Sequence, residues 1–232
     1  MAQPPSPSRR GITDGAKSVA PLLLGVIPFG LVFGVVAAGS TVGPWLGGST
    51  SVIMFAGAAQ LATLQLIDAG AAGAVVIATA LVINARHLMY SAALAPHFQE
   101  FPRGARFALP YIMTDQAFAV SIVRFGDVTD PLYKRRYFTG AALALWVTWQ
   151  ISTVTGIALG AQVPASWSLD FAIPLVFLVL LIPAIKSRAD LVAAVVGGTI
   201  AVAASGAPYG LGLMIGAVSG VVAGIVTHRM AT

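Results

Sequence analysis

Two side chains in this 232-residue chain stand where a charge is expensive, Arg86 and Asp115. Arg86 lies in Asn84-Ala85-Arg86-His87, with Tyr90 one turn on, and Asp115 lies in Met113-Thr114-Asp115-Gln116. Each falls near the middle of a long apolar segment. A charge at that depth of a bilayer costs about 2.5–3.5 kcal/mol on insertion scales and is functional by default. Two charges of opposite sign can simply neutralise each other and fix the packing of adjacent helices. They can also serve a zwitterion, the planar guanidinium holding a carboxylate while the aspartate takes a proton or the substrate amine. On this reading Arg86 and Asn84 contact substrate and Asp115 couples transport to protons, with Thr114 and Tyr90 as gating or packing neighbours.

Other polar or irregular positions at depth are candidates of the same kind. Pro28-Phe29-Gly30 interrupts the first apolar run; a proline removes a backbone hydrogen bond, so a break near Phe29 is expected there. The half-helix end it creates would offer Pro28 and Gly30 as backbone contacts to a carboxylate. Gly57 permits close helix approach, and Gln60 supplies a donor and an acceptor, as interhelical glue or as a substrate contact. Asp170, before Phe171-Ala172-Ile173-Pro174, falls near the outer interface, where a gating or packing role fits best.

The elements that must position these residues follow from composition. Hydrophobic residues make up 57% of the chain and charged ones only 9%, far below the quarter typical of soluble domains. No charge occurs from Ser18 to Ile67, from Tyr137 to Leu169, or from Leu191 to Thr227. With about 20 apolar residues per crossing, the pattern is an all-α bundle of eight transmembrane helices. They fall near 18–40, 50–67, 71–96, 106–125, 137–160, 167–185, 189–205 and 208–227, seven being the alternative. Residues 1–17 read as a disordered cytoplasmic arm and 18–228 as one transmembrane transporter domain.

Lysines and arginines set the orientation. Arg9, Arg10 and Lys17, then Arg124 with Lys134-Arg135-Arg136, then Lys186 and Arg188, and finally Arg229 place both termini in the cytoplasm. One loop conflicts with eight crossings, because it puts Arg103 and Arg106 outside. An offset of 120 residues relates Ala74-Val75-Val76, Thr79 and Val82 to Ala194-Val195-Val196, Thr199 and Val202, the pattern of a parallel internal repeat. Gly212, Gly216, Gly220 and Gly224 form a small-residue stripe, for a partner's helix or for one of the chain's own.

Several functions are excluded or disfavoured. The absence of cysteine rules out disulfides, thiolate metal sites and cysteine nucleophiles. The three histidines lack paired carboxylates, so no metal site and no cofactor is expected. No P-loop, nucleophile elbow or dinucleotide fingerprint occurs, so pumping would draw on an ion gradient. The net charge of +5 is spread between apolar runs and does not point to nucleic acid. A membrane enzyme using Asp115 would lack a second catalytic group, and an accessory subunit whose partner forms the path is the other alternative.

The blocks Ile27-Pro28-Phe29-Gly30, Phe55-Ala56-Gly57-Ala58-Ala59-Gln60, Asn84-Ala85-Arg86-His87-Leu88-Met89-Tyr90, Thr114-Asp115-Gln116-Ala117-Phe118 and Leu169-Asp170-Phe171-Ala172-Ile173-Pro174 together resemble the AzlC family. These are the large subunits of bacterial branched-chain amino-acid exporters. The resemblance implies an inner-membrane protein working with a small AzlD-type membrane subunit. It also implies proton-driven export of leucine, isoleucine and valine, and of methionine as well. Where the family often carries an acidic residue after Thr-Asp, this chain has Gln116.

Overall fold

The structure, a computed structural model, describes residues 7–160, 185, 187–207 and 211–231. All its elements are helical among these residues. They belong to two compact units, Met1–Ala69 with Val76–Trp167, and Gly70–Val75 with Ser168–Thr232. Asp170 lies outside the described residues.

Among the described residues, three helical stretches are long and apolar enough to cross a membrane: Arg10–Gly39, Gly73–Phe98 and Pro131–Gly160. The first belongs to α1 (Pro7–Gly39) and the third is α8 (Pro131–Gly160). Glycines let these two backbones touch. A methyl group at Gly34 would lie 2.2 Å from the Thr153 carbonyl oxygen, and one at Gly156 2.2 Å from that of Leu31. Gly11 meets Arg136 at one end and Gly160 meets Ala38 at the other, so α1 and α8 run parallel.

Two features of α1 differ from expectation. The stretch read as disordered up to residue 17 is helical from Pro7. The break at Pro28-Phe29-Gly30 is absent, and the helix continues through both Pro21 and Pro28. Gly30 is pressed against Trp149 and Ser152 of α8, so packing on one side holds the helix together where proline removes a hydrogen bond.

The break comes one segment later. Residues 50–67, expected to cross, form parts of α2 (Pro44–Ile53) and α3 (Gly57–Asp68), and this hairpin returns to the face it left. Gly47 and Gly48 sit against Ala37 and Ile157 near the far ends of α1 and α8, whereas Gly57 reaches down to Phe29 and Trp149. Asp68 is back at the far face, where its Oδ1 accepts from Ser40 Oγ (2.9 Å), Thr41 N–H (2.9 Å) and Thr41 Oγ1 (2.6 Å).

The third crossing consists of α4 (Gly73–Asn84) and α5 (Arg86–Phe98), separated by Ala85. It ends on the near face, where α1 begins, because His97 Nδ1 is 3.3 Å from Lys134 Nζ in the first turn of α8. A second re-entrant hairpin follows. Its inward arm is α6 (Arg103–Ala108) and a 3-10 turn, Leu109–Ile112; its returning arm is α7 (Asp115–Gly126). Arg124 ends that arm beside Tyr133 (3.1 Å), whose hydroxyl donates to Asp14 (2.9 Å). The fourth expected crossing, 106–125, therefore also turns back. Lys17, Arg103, Arg106, Arg124 and Lys134 then share one face, which removes the charge conflict.

In the second unit α9 (Arg188–Ala203) and α10 (Leu211–Ala231) pair closely. Gly212, Gly216, Gly220 and Gly224 face Ala204, Ala201, Ala193 and Gly197 of this same hairpin. The glycine stripe serves the chain's own packing.

Two measurements follow. At Asp68 burial pushes the carboxyl pKa up, but the hydrogen bonds from Thr41 and Ser40 outweigh this and hold it below the ordinary value. A lowered folded-state pKa gives stability that is present above the ordinary value and lost as pH falls through the folded one. Melting temperature should thus decline below about pH 4, and Asp68→Asn should flatten part of that decline. Because the chain has no cysteine, single cysteines report topology directly. An impermeant thiol reagent should label Arg103→Cys and Asp127→Cys from one side and Ala72→Cys from the other. Eight crossings would instead group Ala72→Cys with Asp127→Cys.

Candidate functional site

A helix broken inside a membrane must find a partner for every freed N–H and C=O, since hydrocarbon supplies none. The first hairpin solves this residue by residue. Phe55 turns the chain at φ +42°, a left-handed conformation that costs a non-glycine residue about 1–3 kcal/mol. The N–H groups of Met54 and Phe55 both reach the Thr50 carbonyl (2.8 and 3.3 Å). The Ala56 N–H donates to Gln60 Oε1 (3.0 Å), and Gln60 Nε2 donates to Thr50 Oγ1 and Ser51 Oγ (3.0 Å each).

Gln60 is 0% exposed, and its amide is spent on this turn, so it braces the break. Ser51 Oγ also accepts from Trp149 Nε1 (3.1 Å), and the Ser51 carbonyl from Gln150 Nε2 (2.9 Å). The Tyr111 hydroxyl donates to the Val52 carbonyl, joining the tip of one hairpin to the inward arm of the other. Gly57 fits under the Trp149 and Phe29 rings; a methyl there would lie 2.6 Å from Trp149. Ser51, Tyr111, Trp149 and Gln150 carry no sequence pattern that marks them, because their role exists only once the chain turns back.

The second break brings the charges together. Met113 and Thr114 are extended, and Thr114 caps α7, its Oγ1 accepting from the Ala117 N–H (3.3 Å). Thr114 is therefore a cap. Asp115 opens the first turn of α7, where the helix dipole favours a negative charge. Arg86 opens α5, which runs alongside α7 in the same direction: Tyr90 stacks on Phe118 at 4.4 Å and His97 meets Phe125 at 5.2 Å between ring centroids.

Arg86 Nη1 lies 2.8 Å from Asp115 Oδ2. The side chains keep 35% and 41% of their surface accessible. Tyr90 sits within hydrogen-bonding reach of Asp115, and its ring also meets His87. Arg86 Nε and Asp115 Oδ1 are buried at this junction without a hydrogen-bond partner among the described residues, and so is Asn84 Oδ1, two residues before Arg86. Pro28 and Gly30 stand apart from it, Pro28 exposed on α1 and Gly30 buried against α8.

The near face closes below the pair. Lys134, 6% exposed, contacts His97 and lies 3.7 Å from Glu100, with its Nζ 5.9 Å from the centre of the Phe125 ring. A histidine accepting from a lysine in this way couples the ends of α5, α7 and α8.

Comparison with known proteins reaches all of these elements. A family model described as AzlC protein matches residues 21–163, and one described as MJ1155 family matches residues 165–232. An "Uncharacterized membrane protein" of Archaeoglobus fulgidus is 31% identical over 79% of this chain and 80% of its own length. The "Inner membrane protein YgaZ" of Escherichia coli K12 is 23% identical over 96% of this chain and 91% of its own. No solved structure matches.

The matched stretch contains both hairpins, and the brace at Gln60 is the point at which their geometry can be broken without touching the charges. Gln60→Leu leaves the Ala56 N–H bare and removes two donors from Thr50 and Ser51. Each unsatisfied buried group costs about 1–3 kcal/mol. The variant should melt well below the wild type in detergent or nanodiscs, by about 2–4 kcal/mol in all. An unchanged melting curve would mean that the break does not depend on this side chain.

Proposed function

Because this chain belongs to the AzlC family of membrane proteins, with the transport-related role that membership carries, we propose that it is the large subunit of a secondary transporter. On this reading it moves branched-chain amino acids (leucine, isoleucine, valine) and methionine outward across a bacterial inner membrane. A separate small membrane subunit of the AzlD type completes the assembly, and both termini are cytoplasmic. The clustering of Lys17, Arg103, Arg106, Arg124 and Lys134 on one face supports that orientation.

The observation that carries the proposal is the unpaired inventory at the Arg86–Asp115 junction. One donor, Arg86 Nε, and two acceptors, Asp115 Oδ1 and Asn84 Oδ1, lack partners among the described residues. A free α-amino acid brings the complement, a carboxylate for the guanidinium edge and an ammonium for the two oxygens. The site is specific to the zwitterion and not to the side chain.

Coupling follows from charge balance. In the substrate-free pair each charge neutralises the other. A bound carboxylate draws Arg86 away and leaves Asp115 without its counter-charge, and Asp115 is the group that carries the coupled proton. Substrate and proton occupancy become linked with no further group required.

Amino-acid flux in vesicles containing this chain and its small partner, with and without an imposed pH gradient, tests the proposal. Asp115→Asn should retain exchange of leucine yet lose the response to the gradient. Arg86→Lys should weaken leucine binding about tenfold or more, because a point charge does not reproduce the planar fork. Full gradient response in Asp115→Asn would make that residue a structural counter-ion only.

A further inference from the structure

Lys134 is only 6% exposed, and nothing in the Arg86–Asp115 reading uses it. It lies in the first turn of α8, against the near-face ends of α5 and α7. A buried ammonium needs partners, and three groups surround this one. His97 Nδ1, near the end of α5, is 3.3 Å away. Glu100, just past that helix, brings a carboxylate oxygen to 3.7 Å. The centre of the Phe125 ring, at the end of α7, lies 5.9 Å from Nζ, and that ring meets the His97 ring edge-on at 5.2 Å.

A lysine ammonium has donors and no acceptor. The hydrogen bond therefore runs from Nζ to Nδ1, which requires an unprotonated Nδ1. The ends of three helices thus meet around a neutral imidazole. The charges that act on this ring are those of Lys134 and Glu100. From α7 it receives Phe125, while Arg124 is turned to Tyr133 and through that hydroxyl to Asp14. Arg106 of the inward arm is held by the Phe101 and Gln99 carbonyls.

A proton on Nδ1 reverses the contact. The ring then presents a donor where it held an acceptor, and a second cation stands against Lys134. Glu100 cannot balance both. If it turns to the imidazolium, Lys134 loses its carboxylate, and a buried charge stripped of its partner is strongly destabilising.

We propose that His97 is a proton-binding site, distinct from Asp115, and that a proton there separates the near-face ends of α5, α7 and α8. The contact is complete while the imidazole is neutral. It is lost as pH falls through the range of about 8 to 5 in which histidine changes charge. The near face is then closed at alkaline pH and opens when that side turns acidic. The inference uses neither a substrate nor the Arg86–Asp115 pair, so it stands or falls apart from the transporter reading.

Thiol labelling of the full chain in nanodiscs tests it. Ser121→Cys puts a reporter on α7 one turn before Phe125, at a position with 0% exposure. Asp127→Cys, exposed on the near face, is the reference. The ratio of the two labelling rates cancels the loss of thiolate that both share as pH drops. From about pH 8 to about pH 5.5 the ratio should rise about tenfold, the factor supplied by a one-unit difference in histidine pKa between closed and open states. His97→Gln keeps an acceptor for Lys134 and takes no proton, so its ratio should stay flat. Lys134→Met removes the cation that an imidazolium would repel, and its ratio should stay flat too. Melting curves show whether each variant folds, and if one does not, the other decides. A flat ratio with His97 and Lys134 both present overturns the inference. An equal rise in either variant also overturns it, because the response then belongs to another group, Asp115 among them.

Discussion

Hydrocarbon offers no hydrogen bonds, and this chain stops two helices inside it. Everything else in the first unit answers that constraint. The α1–α8 pair supplies the wall: glycines at 34 and 156 bring two backbones into contact, and Trp149, Gln150 and Thr153 project from it toward the first break. Ser51 is held from that wall by Trp149 and Gln150, and Val52 is held by Tyr111 of the other hairpin. A membrane helix can end at mid-depth only where protein replaces its missing partners. Here Gln60, Tyr111 and Gln150 supply partners to the Ala56 N–H and to the Val52 and Ser51 carbonyls at the first break.

The second break is satisfied differently, and the difference bears on function. Thr114 caps the turn, but the charges it positions retain unpaired atoms. A structural ion pair gains from using all its hydrogen-bonding capacity; this one leaves Arg86 Nε and Asp115 Oδ1 without partners among the described residues. The two hairpins enter from opposite faces and touch through Tyr111, so a movement of either tip is felt by the other.

Much of this was legible in the sequence, and the failures share a cause. Arg86 and Asp115 stand out because an isolated charge in an apolar run needs a reason, and the structure pairs them. Helix content and the apolar segments follow from composition. Crossing number did not follow, because a run such as 50–67 is apolar whether it passes through the membrane or returns. The misplaced Arg103 and Arg106 were the visible sign of that error. Pro28 attracted the expected break because proline is the local signal for one, yet contact with α8 carries the helix past it. The actual break at Phe55 has no local signal and depends on Gln60, Ser51 and Trp149, residues far apart in sequence that meet only in the fold.

The central claim is that substrate takes Arg86 from Asp115 and that the aspartate then binds a proton. Proton uptake on leucine addition measures this directly, using the full chain in weakly buffered nanodiscs with a pH indicator near neutrality. The account predicts about one proton taken up per leucine bound in the wild type, and none in Asp115→Asn, which still binds leucine. Equal uptake in both proteins would contradict it, as would leucine binding to the wild type with no proton taken up.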